Sequence, residues 1–361
     1  MSEPLESDRL PGAPHPRETS VLFGQDAAEA QFLAAASAGR LHHAWLLTGP
    51  RGVGKATLAW RIARALIEGD PVTRLAMAPE APAFRALATL ASPQLFLCRR
   101  PWDDKTERLR TAITVEEVRA LKEFFQLSAT DGGRRIAIVD AADELNASAA
   151  NALLKVLEEP PSSAVLLLVC HRPAGLLPTI RSRCRELRLN PLGPADMAAA
   201  LAAAGAEVGE SAALATLAGG SVGSALRLAA EDGVGRYDAI ASLLARTPLD
   251  RRGLLAIADG VAGRDAAPRY ELTLELIGIA LWRLALHGAG APVEAVSPSE
   301  AEMLARLAPT PAHAAIWARL APEIAARTTH ARAVNLDPGQ VILDTFLQID
   351  AAAAEARALA A

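Results

Sequence analysis

The residues best suited to chemistry lie in a glycine-rich segment, residues 49–57, which reads GPRGVGKAT. An apolar run precedes this segment and a helical pattern follows it, which is the setting of a phosphate-binding P-loop. Such a loop bends at its glycines, so that backbone N–H groups converge on phosphate oxygens and the helix N-terminus adds a positive end. The glycines concerned are Gly49, Gly52 and Gly54.

Lys55 would reach the terminal phosphates of a nucleotide in this P-loop. The hydroxyl residue that usually follows the lysine and ligates Mg²⁺ is Ala56 here, and Thr57 lies one position too late to replace it directly. An alanine methyl group cannot coordinate a cation. The spacing therefore predicts P-loop architecture with a degenerate metal position, and it leaves open whether nucleotide still binds.

A carboxylate at the end of a second apolar run completes the candidate site. Asp140 ends the run IAIVD, which suits the acid that positions Mg²⁺ in P-loop proteins. Hydrolytic relatives carry a glutamate directly afterwards, whereas this chain has Ala141. Asp143 and Glu144 are predicted to be cap and surface residues of the next helix. The missing metal ligand and the missing base both point away from hydrolysis.

A third candidate is a cluster of arginines that follows Pro178. Its members are Arg181, Arg183, Arg185 and Arg188. Such a cluster can be a solvated basic face, or it can present a guanidinium to the nucleotide of a neighbouring subunit, since guanidinium matches phosphate geometry and stays charged. The spacing alone does not decide between the two.

The elements that would position these residues follow the pattern of an α/β domain. Four short runs, apolar on both faces, predict buried parallel strands; they are residues 44–47, 95–98, 136–139 and 165–169. Helical patterns lie between them, which favours a doubly wound sheet. One such helix begins with a capping box at Thr114 and Glu117, and another runs over about 147–159 until two prolines stop it.

Strand patterns end at Pro191-Leu192-Gly193-Pro194, so we predict four segments. They are a flexible leader at 1–19, in which Pro11, Pro14 and Pro16 interrupt periodicity, an α/β P-loop domain at 20–191, a small helical lid at 192–235 and an all-α domain at 236–361. The last strong helix begins at Asp337-Pro338, with aspartate as its N-cap.

Composition narrows the functional classes. The 361 residues carry a net charge of −4, which argues against a free-standing basic nucleic-acid binder. Three widely spaced cysteines exclude a disulfide framework and a four-thiolate zinc site, and they are predicted to be unreactive core groups. The start of the chain resembles neither a signal peptide nor a membrane anchor. A reducing cytoplasm fits best.

Several motifs together resemble a known family. They are LHHAWLL at 41–47, NALLKVLEEPP at 151–161, Ser182-Arg183-Cys184 and NLDP at 335–338. The chain is thereby identified as similar to the delta-prime family of bacterial DNA polymerase III clamp-loader subunits, within the AAA+ superfamily. The resemblance covers about residues 20–230 well and the C-terminal collar more loosely.

The resemblance implies a RecA-like AAA+ domain, a helical lid and a collar through which five subunits form a ring. The chain would be the rigid, ATPase-deficient stator, and Arg183, between its motif neighbours Ser182 and Cys184, would act in trans on ATP held by a motor subunit. The implied partners are the motor and delta subunits, with the sliding clamp, the polymerase core and primed DNA reached through the complex. No metal and no membrane are expected, and the P-loop could retain ATP or ADP without hydrolysing it.

Departures from the family's patterns matter as much as the matches. The lid arginine of a motor would fall at Gly223, and Arg227 comes one turn later. The segment at about 70–105, where some relatives carry a zinc module, has Cys98 alone. Two alternatives remain: an active motor ATPase that ligates metal through Thr57 or water, and a helical scaffold that no longer contacts phosphate.

Overall fold

A computed structural model describes residues 6–10, 13–39, 41–126, 133–161, 163–206, 211–246, 248–263 and 266–359. The chain divides into two compact units. Unit 1 comprises residues 1–208 and 219–226, and unit 2 comprises residues 209–218 and 227–361.

Unit 1 is built on a parallel sheet. Its strands are β1 (Ala44–Thr48), β2 (Leu95–Arg99), β5 (Arg135–Asp140), β6 (Ala164–Cys170) and β7 (Arg185–Arg188), in the order β2-β5-β6-β1-β7. A short antiparallel hairpin, β3 (Trp102–Asp103) and β4 (Arg108–Leu109), follows β2. The four predicted apolar runs are confirmed as strands. β7 was not predicted, because only Leu187 of its four residues is buried.

Helices cover both faces of this sheet. They are α1 (Asp26–Ser37), α2 (Lys55–Glu68), α3 (Pro82–Ala88), α4 (Val115–Gln126), α5 (Ala147–Glu158), α6 (Pro178–Arg181) and α7 (Pro194–Ala203), and α9 (Val222–Ala230) begins in this unit. The predicted capping at α4 is confirmed, since the Thr114 N–H donates to the Glu117 carboxylate at 2.8 Å. The two helix layers bury the strands, which is the predicted P-loop α/β fold.

Unit 2 is helical throughout its described residues. Its helices are α8 (Ser211–Leu217), α10 (Gly233–Ala245), α11 (Arg251–Gly260), α12 (Ala267–Gly288), α13 (Pro298–Leu307), α14 (Pro311–Ala333) and α15 (Pro338–Leu359). The predicted cap of α15 is confirmed by the Gln340 N–H, which donates to Asp337 Oδ1 at 2.9 Å. The division into domains at 191 and 235 stays a prediction.

A buried ionic network anchors the core of unit 2. Glu300 on α13 is fully buried, and its carboxylate accepts from the Tyr237 hydroxyl at 2.6 Å and the Val296 N–H at 2.7 Å. Arg283 donates to both carboxylate oxygens. If Glu300 is removed, Tyr237 and the Val296 N–H lose this acceptor and Arg283 keeps only the Glu294 carbonyl, so the network is a sensitive point of this unit.

The leader differs from the flexible segment that its prolines predict. Residues 1–5 and 11–12, including Pro11, lie outside the described residues. In the described part, Arg99 pairs with Glu6 and Asp8, and His15 is buried. Arg64 of α2 donates to backbone carbonyls of residues 17 and 19. The leader is docked because it supplies acceptors to arginines of the domain.

Where the chain is described, no helix combines the length and the apolar character needed to cross a membrane.

Candidate functional site

The sheet brings the P-loop and Asp140 to the same edge. Parallel strands end at one edge, and β1 and β5 lie on either side of β6. Thr48, the last residue of β1, pairs with Cys170, and Asp140 pairs with Val169. The P-loop that follows Thr48 and the carboxylate of Asp140 therefore flank the end of one strand, as the spacing predicted.

The P-loop has the expected left-handed glycines and is closely packed. φ is +137° at Gly49, +78° at Gly52 and +102° at Gly54, directly before α2. A Cβ atom on Gly52 would lie 2.3 Å from Ser221 Oγ. The Gly52 carbonyl accepts from the Gly223 N–H at 3.2 Å. Glycine is thus required at position 52 both by backbone conformation and by the approach of residues 221–223.

Lys55 is turned towards its own loop. Its side chain is buried, and Nζ donates to the Gly49 carbonyl at 2.8 Å and to the Pro50 carbonyl. Burial lowers the pKa of Lys55 to about 8, although Asp140 and Asp143 act in the opposite direction. The amine that would contact a terminal phosphate is therefore bonded to backbone oxygens, and it loses its proton more readily than an ordinary lysine.

Asp140 is the strongest electrostatic anomaly of the site. Burial raises the pKa of Asp140 to about 7, with further contributions from the negative charges of Asp8 and Glu144. Lys55 opposes this shift. The next residue, Ala141, is also buried and offers no oxygen ligand. Ala56 and Thr57 lie in the first turn of α2 and are half-buried.

Asp143 was predicted to be a surface or cap residue, and this was wrong. Its side chain is only 3% exposed, and Oδ1 accepts from the His171 N–H at 2.8 Å. Oδ2 lies 3.4 Å from Arg172 Nε. Asp143 thus holds the loop after β6 beside the P-loop. Its position three residues after the aspartate that ends β5 was a weak signal, because its partner His171 follows a different strand, β6.

Burial also determines the protonation state of His171 and of the three cysteine thiols. It lowers the pKa of His171 to about 4, helped by the positive charge of Lys55, so the imidazole is neutral near pH 7. It raises the pKa of all three thiols, Cys98, Cys170 and Cys184, to about 12. These thiols stay protonated, which agrees with their prediction as unreactive groups.

The residues around this P-loop do not fit a magnesium–nucleotide complex as they stand. The loop has the backbone shape of a phosphate cradle. The position that should supply a metal ligand is Ala56, the Lys55 amine is bonded to loop carbonyls, and Asp8 adds a buried negative charge near Asp140. Anionic phosphates would meet unfavourable charge there.

The arginine cluster lies around α6 and β7. The Arg183 guanidinium pairs with Glu158 at 2.8 Å and donates to the Thr179 carbonyl at 3.0 Å, yet its side chain stays 37% exposed. The Ser182 hydroxyl donates to the same Thr179 carbonyl at 3.1 Å. Cys184 is partly buried against the α/β core. The Ser-Arg-Cys motif is therefore fixed at both ends, and its arginine faces outward.

The other arginines of the cluster differ in their surroundings. Arg185 lies over the Trp45 ring, with its guanidinium carbon 5.2 Å from the ring centroid. Arg181, Arg185 and Arg188 are all exposed. Arg227, one turn after the lid position at Gly223, pairs with Glu275 within unit 2.

Comparison with known proteins gives a consistent picture for the α/β domain. Residues 24–193 match the family described as DNA polymerase III, delta subunit. DNA polymerase III subunit delta' of Pseudomonas aeruginosa is 42% identical over 142 residues, which cover 39% of this chain and 41% of that protein. The subunit delta' of Yersinia pestis is 37% identical over 151 residues, which cover 41% of this chain and 42% of that protein.

The chain thus spans about two fifths of the length of these curated relatives. Among solved structures, a DNA polymerase III gamma subunit-related protein of Thermotoga maritima aligns over 91% of this chain and 99% of its own. The TM-score is 0.36 and the identity is 17%.

Proposed function

We propose that the chain is a stator subunit of the clamp loader, which helps to place the sliding clamp on primed DNA during replication. The proposal is supported by residues 24–193, which match the family described as DNA polymerase III, delta subunit, and by the similarity to curated delta' subunits. In this role it does not hydrolyse ATP itself. It supplies Arg183 in trans to the nucleotide of an adjacent motor subunit. The observation that carries the proposal is the combination of a degenerate P-loop edge with an outward-facing arginine in the Ser-Arg-Cys motif.

The degenerate edge supports the absence of hydrolysis. Hydrolysis in P-loop proteins needs Mg²⁺ held by a hydroxyl beside the lysine, and a group that orients the attacking water. Ala56 and Ala141 stand at these two positions. Burial also raises the pKa of the Asp140 carboxyl, so binding a cation there would first require loss of its proton. An active motor would need all three groups in working form.

The geometry around Arg183 supports action on a neighbour. A guanidinium remains charged at any physiological pH and offers several donors to phosphate oxygens. Pro178 begins α6, and the Thr179 carbonyl accepts from both Ser182 and Arg183, so the motif is a rigid turn. The side chain of Arg183 is held only by contacts at the surface. It can therefore be presented to a phosphate outside this chain.

The partners belong to the proposal. They are the motor and delta subunits, met through the ring, with the sliding clamp, polymerase core and primed DNA reached through the assembled complex in the cytoplasm. With its negative net charge, the isolated chain should bind primer–template DNA weakly at physiological salt. Tight binding by the isolated chain under those conditions would contradict this part.

Two measurements test the central claim. The purified chain should show no magnesium-dependent ATP turnover above background, and turnover would favour the motor alternative. In the assembled complex, Arg183→Ala should lower the DNA-stimulated ATPase by about 10³-fold or more, as expected for a trans arginine. Arg185→Ala, two residues along on β7, is the matched control and should keep most of the rate. Full activity of the Arg183→Ala complex would favour a purely scaffolding role.

A further inference from the structure

Residues 6–10 lie at the sheet edge that carries the P-loop, and we call them the N-terminal strap. The Ser7 hydroxyl donates to the Arg100 carbonyl at 3.2 Å. Arg99, the last residue of β2, pairs with Glu6 at 2.9 Å and with Asp8. In the sheet, Arg99 is the register neighbour of Asp140. The strap is therefore anchored beside the carboxylate of the candidate site.

The other end of the strap reaches the P-loop itself. A Cβ atom on Gly223 would lie 2.8 Å from Leu10 Cδ2 and 3.1 Å from Gly52 Cα. Leu10 thus packs on the glycine that closes over the loop, and the Gly223 N–H is bonded to the Gly52 carbonyl. Gly223 is also the position at which the sequence places the lid arginine of a motor subunit. A larger side chain there would have to move the end of the Leu10 side chain.

The strap carries negative charge into this edge. The Asp8 side chain is 1% exposed, and its charge helps to raise the pKa of Asp140. A triphosphate arriving at the P-loop would approach this buried carboxylate. Its ion pair with Arg99 offsets part of this charge, but a carboxylate held beside Asp140 still disfavours an anionic ligand, because like charges repel each other in a partly desolvated site.

The acidic groups of the strap form an ion-pair network. Oxygen and nitrogen atoms of Glu6, Asp8 and His15 lie within 4.8 Å of one another, a spacing that could hold a metal ion. Arg17 and Arg99 already pair with the two carboxylates. His15 Nδ1 accepts from the Arg17 N–H at 3.2 Å, so the neutral ring carries its proton on Nε2, which faces Glu6 and is not free to ligate. The cluster therefore serves to hold the strap down.

We propose that the N-terminal strap is an autoinhibitory element that excludes nucleoside triphosphate from this chain's own P-loop. The inference goes beyond the proposed function, because it attributes part of the loss of nucleotide binding to a contact that mutation can remove, and not only to Ala56 and Ala141. It concerns binding in cis and makes no use of Arg183. Its failure would leave the trans role untouched.

The test measures binding of a fluorescent N-methylanthraniloyl ATP, with Mg²⁺, to the full-length chain. The double variant Glu6→Gln/Asp8→Asn removes the charges that bind Arg99 and should lower the dissociation constant on the order of tenfold or more relative to wild type. Asp103→Asn removes a carboxylate from a surface pair with Arg110 and is the matched control. Equal affinity for wild type and the double variant would overturn the proposal.

Two further measurements address binding at another site and misfolding of the double variant. Adding Lys55→Ala to the double variant should abolish the gain, and a gain that persists would mean binding elsewhere and would overturn the proposal. If the double variant is poorly folded, hydrogen exchange of the wild-type chain decides. Backbone amides of residues 49–56 should exchange at the same rate with and without millimolar ATP, and ATP-dependent protection there would refute an excluding strap.

Discussion

The ion pair between Arg183 and Glu158 determines how readily the proposed finger can leave its own chain. The two groups are 2.8 Å apart, with side chains 37% and 49% exposed. Pairs exposed to this degree contribute about 0–1 kcal/mol, because water screens them and both side chains lose freedom. Releasing Arg183 to a neighbouring nucleotide therefore costs at most about a fivefold change in equilibrium.

Substitutions at the two partners should therefore differ in effect, because Glu158 only restrains the finger whereas Arg183 would act on the nucleotide. In the assembled complex, Glu158→Gln should change the DNA-stimulated ATPase by no more than about fivefold, and a small increase is expected because the finger is freed. Arg183→Ala should lower it by about 10³-fold or more.

The assay is steady-state ATP turnover with primed DNA and clamp, using complexes matched for subunit content. Glu159→Gln removes the same charge one residue along and is the control. A loss with Glu158→Gln as large as that with Arg183→Ala would refute the reasoning, since it would mean that the pair orients the finger and does not merely restrain it.

Three further predictions concern stability. Glu300→Ala should lower the free energy of unfolding by about 3–5 kcal/mol, because it removes the buried carboxylate that pairs with Arg283. Glu355→Ala removes an exposed ion pair and should lower it by less than about 1 kcal/mol. Urea unfolding measures both losses, and losses of similar size would contradict this expectation. Folding raises the pKa of Asp140 from 3.8 to about 7, so the folded state binds this proton more tightly than the unfolded state. The resulting stabilisation is fully present below about pH 3.8, and it is lost as the pH rises to about 7. Asp140→Asn should therefore flatten the fall in melting temperature between about pH 5 and pH 8, and an unchanged profile would exclude this group as its cause. Gly52→Ala should lower the stability by about 1–3 kcal/mol more than Gly39→Ala. Both glycines have positive φ, but only a Cβ atom on Gly52 would clash with a neighbour, Ser221. Equal losses in thermal unfolding would mean that backbone strain accounts for the whole effect.

The central strands could be predicted because each signal is local. Runs such as 136–139 are apolar on both faces, which only a buried parallel strand requires, and the flanking helices begin with capping residues. The edge strand β7 could not be found in this way. It lies at the border of the sheet, so Arg185, Glu186 and Arg188 face solvent or polar groups and only Leu187 enters the core.

The residues of the candidate site also differ in whether a local sequence signal marks them. The P-loop, Asp140 and the Ser-Arg-Cys motif are contiguous or directly follow a strand, so their types and spacing were sufficient to single them out as candidates. The buried Asp143 and the docked strap depend on partners distant in sequence, namely His171 for the first and Arg99 for the second. Such contacts leave no periodic pattern. Prolines predicted a flexible leader, but a segment without periodic pattern can still be anchored by ion pairs, as the described part of this leader is.

The glycines of the P-loop show why shape and chemistry must be judged separately. Gly52 would be required even if no phosphate ever bound, because Ser221 and Gly223 approach it too closely for any side chain. The glycine pattern is therefore explained by packing within this chain, and it does not by itself indicate nucleotide binding. The residues that distinguish a motor from a stator are those whose side chains would touch metal or water, and these are Ala56 and Ala141. In the proposed stator role, a P-loop closed by contacts within its own chain would still hold the sheet edge in place, and Arg183 would act from that fixed domain on a site outside the chain.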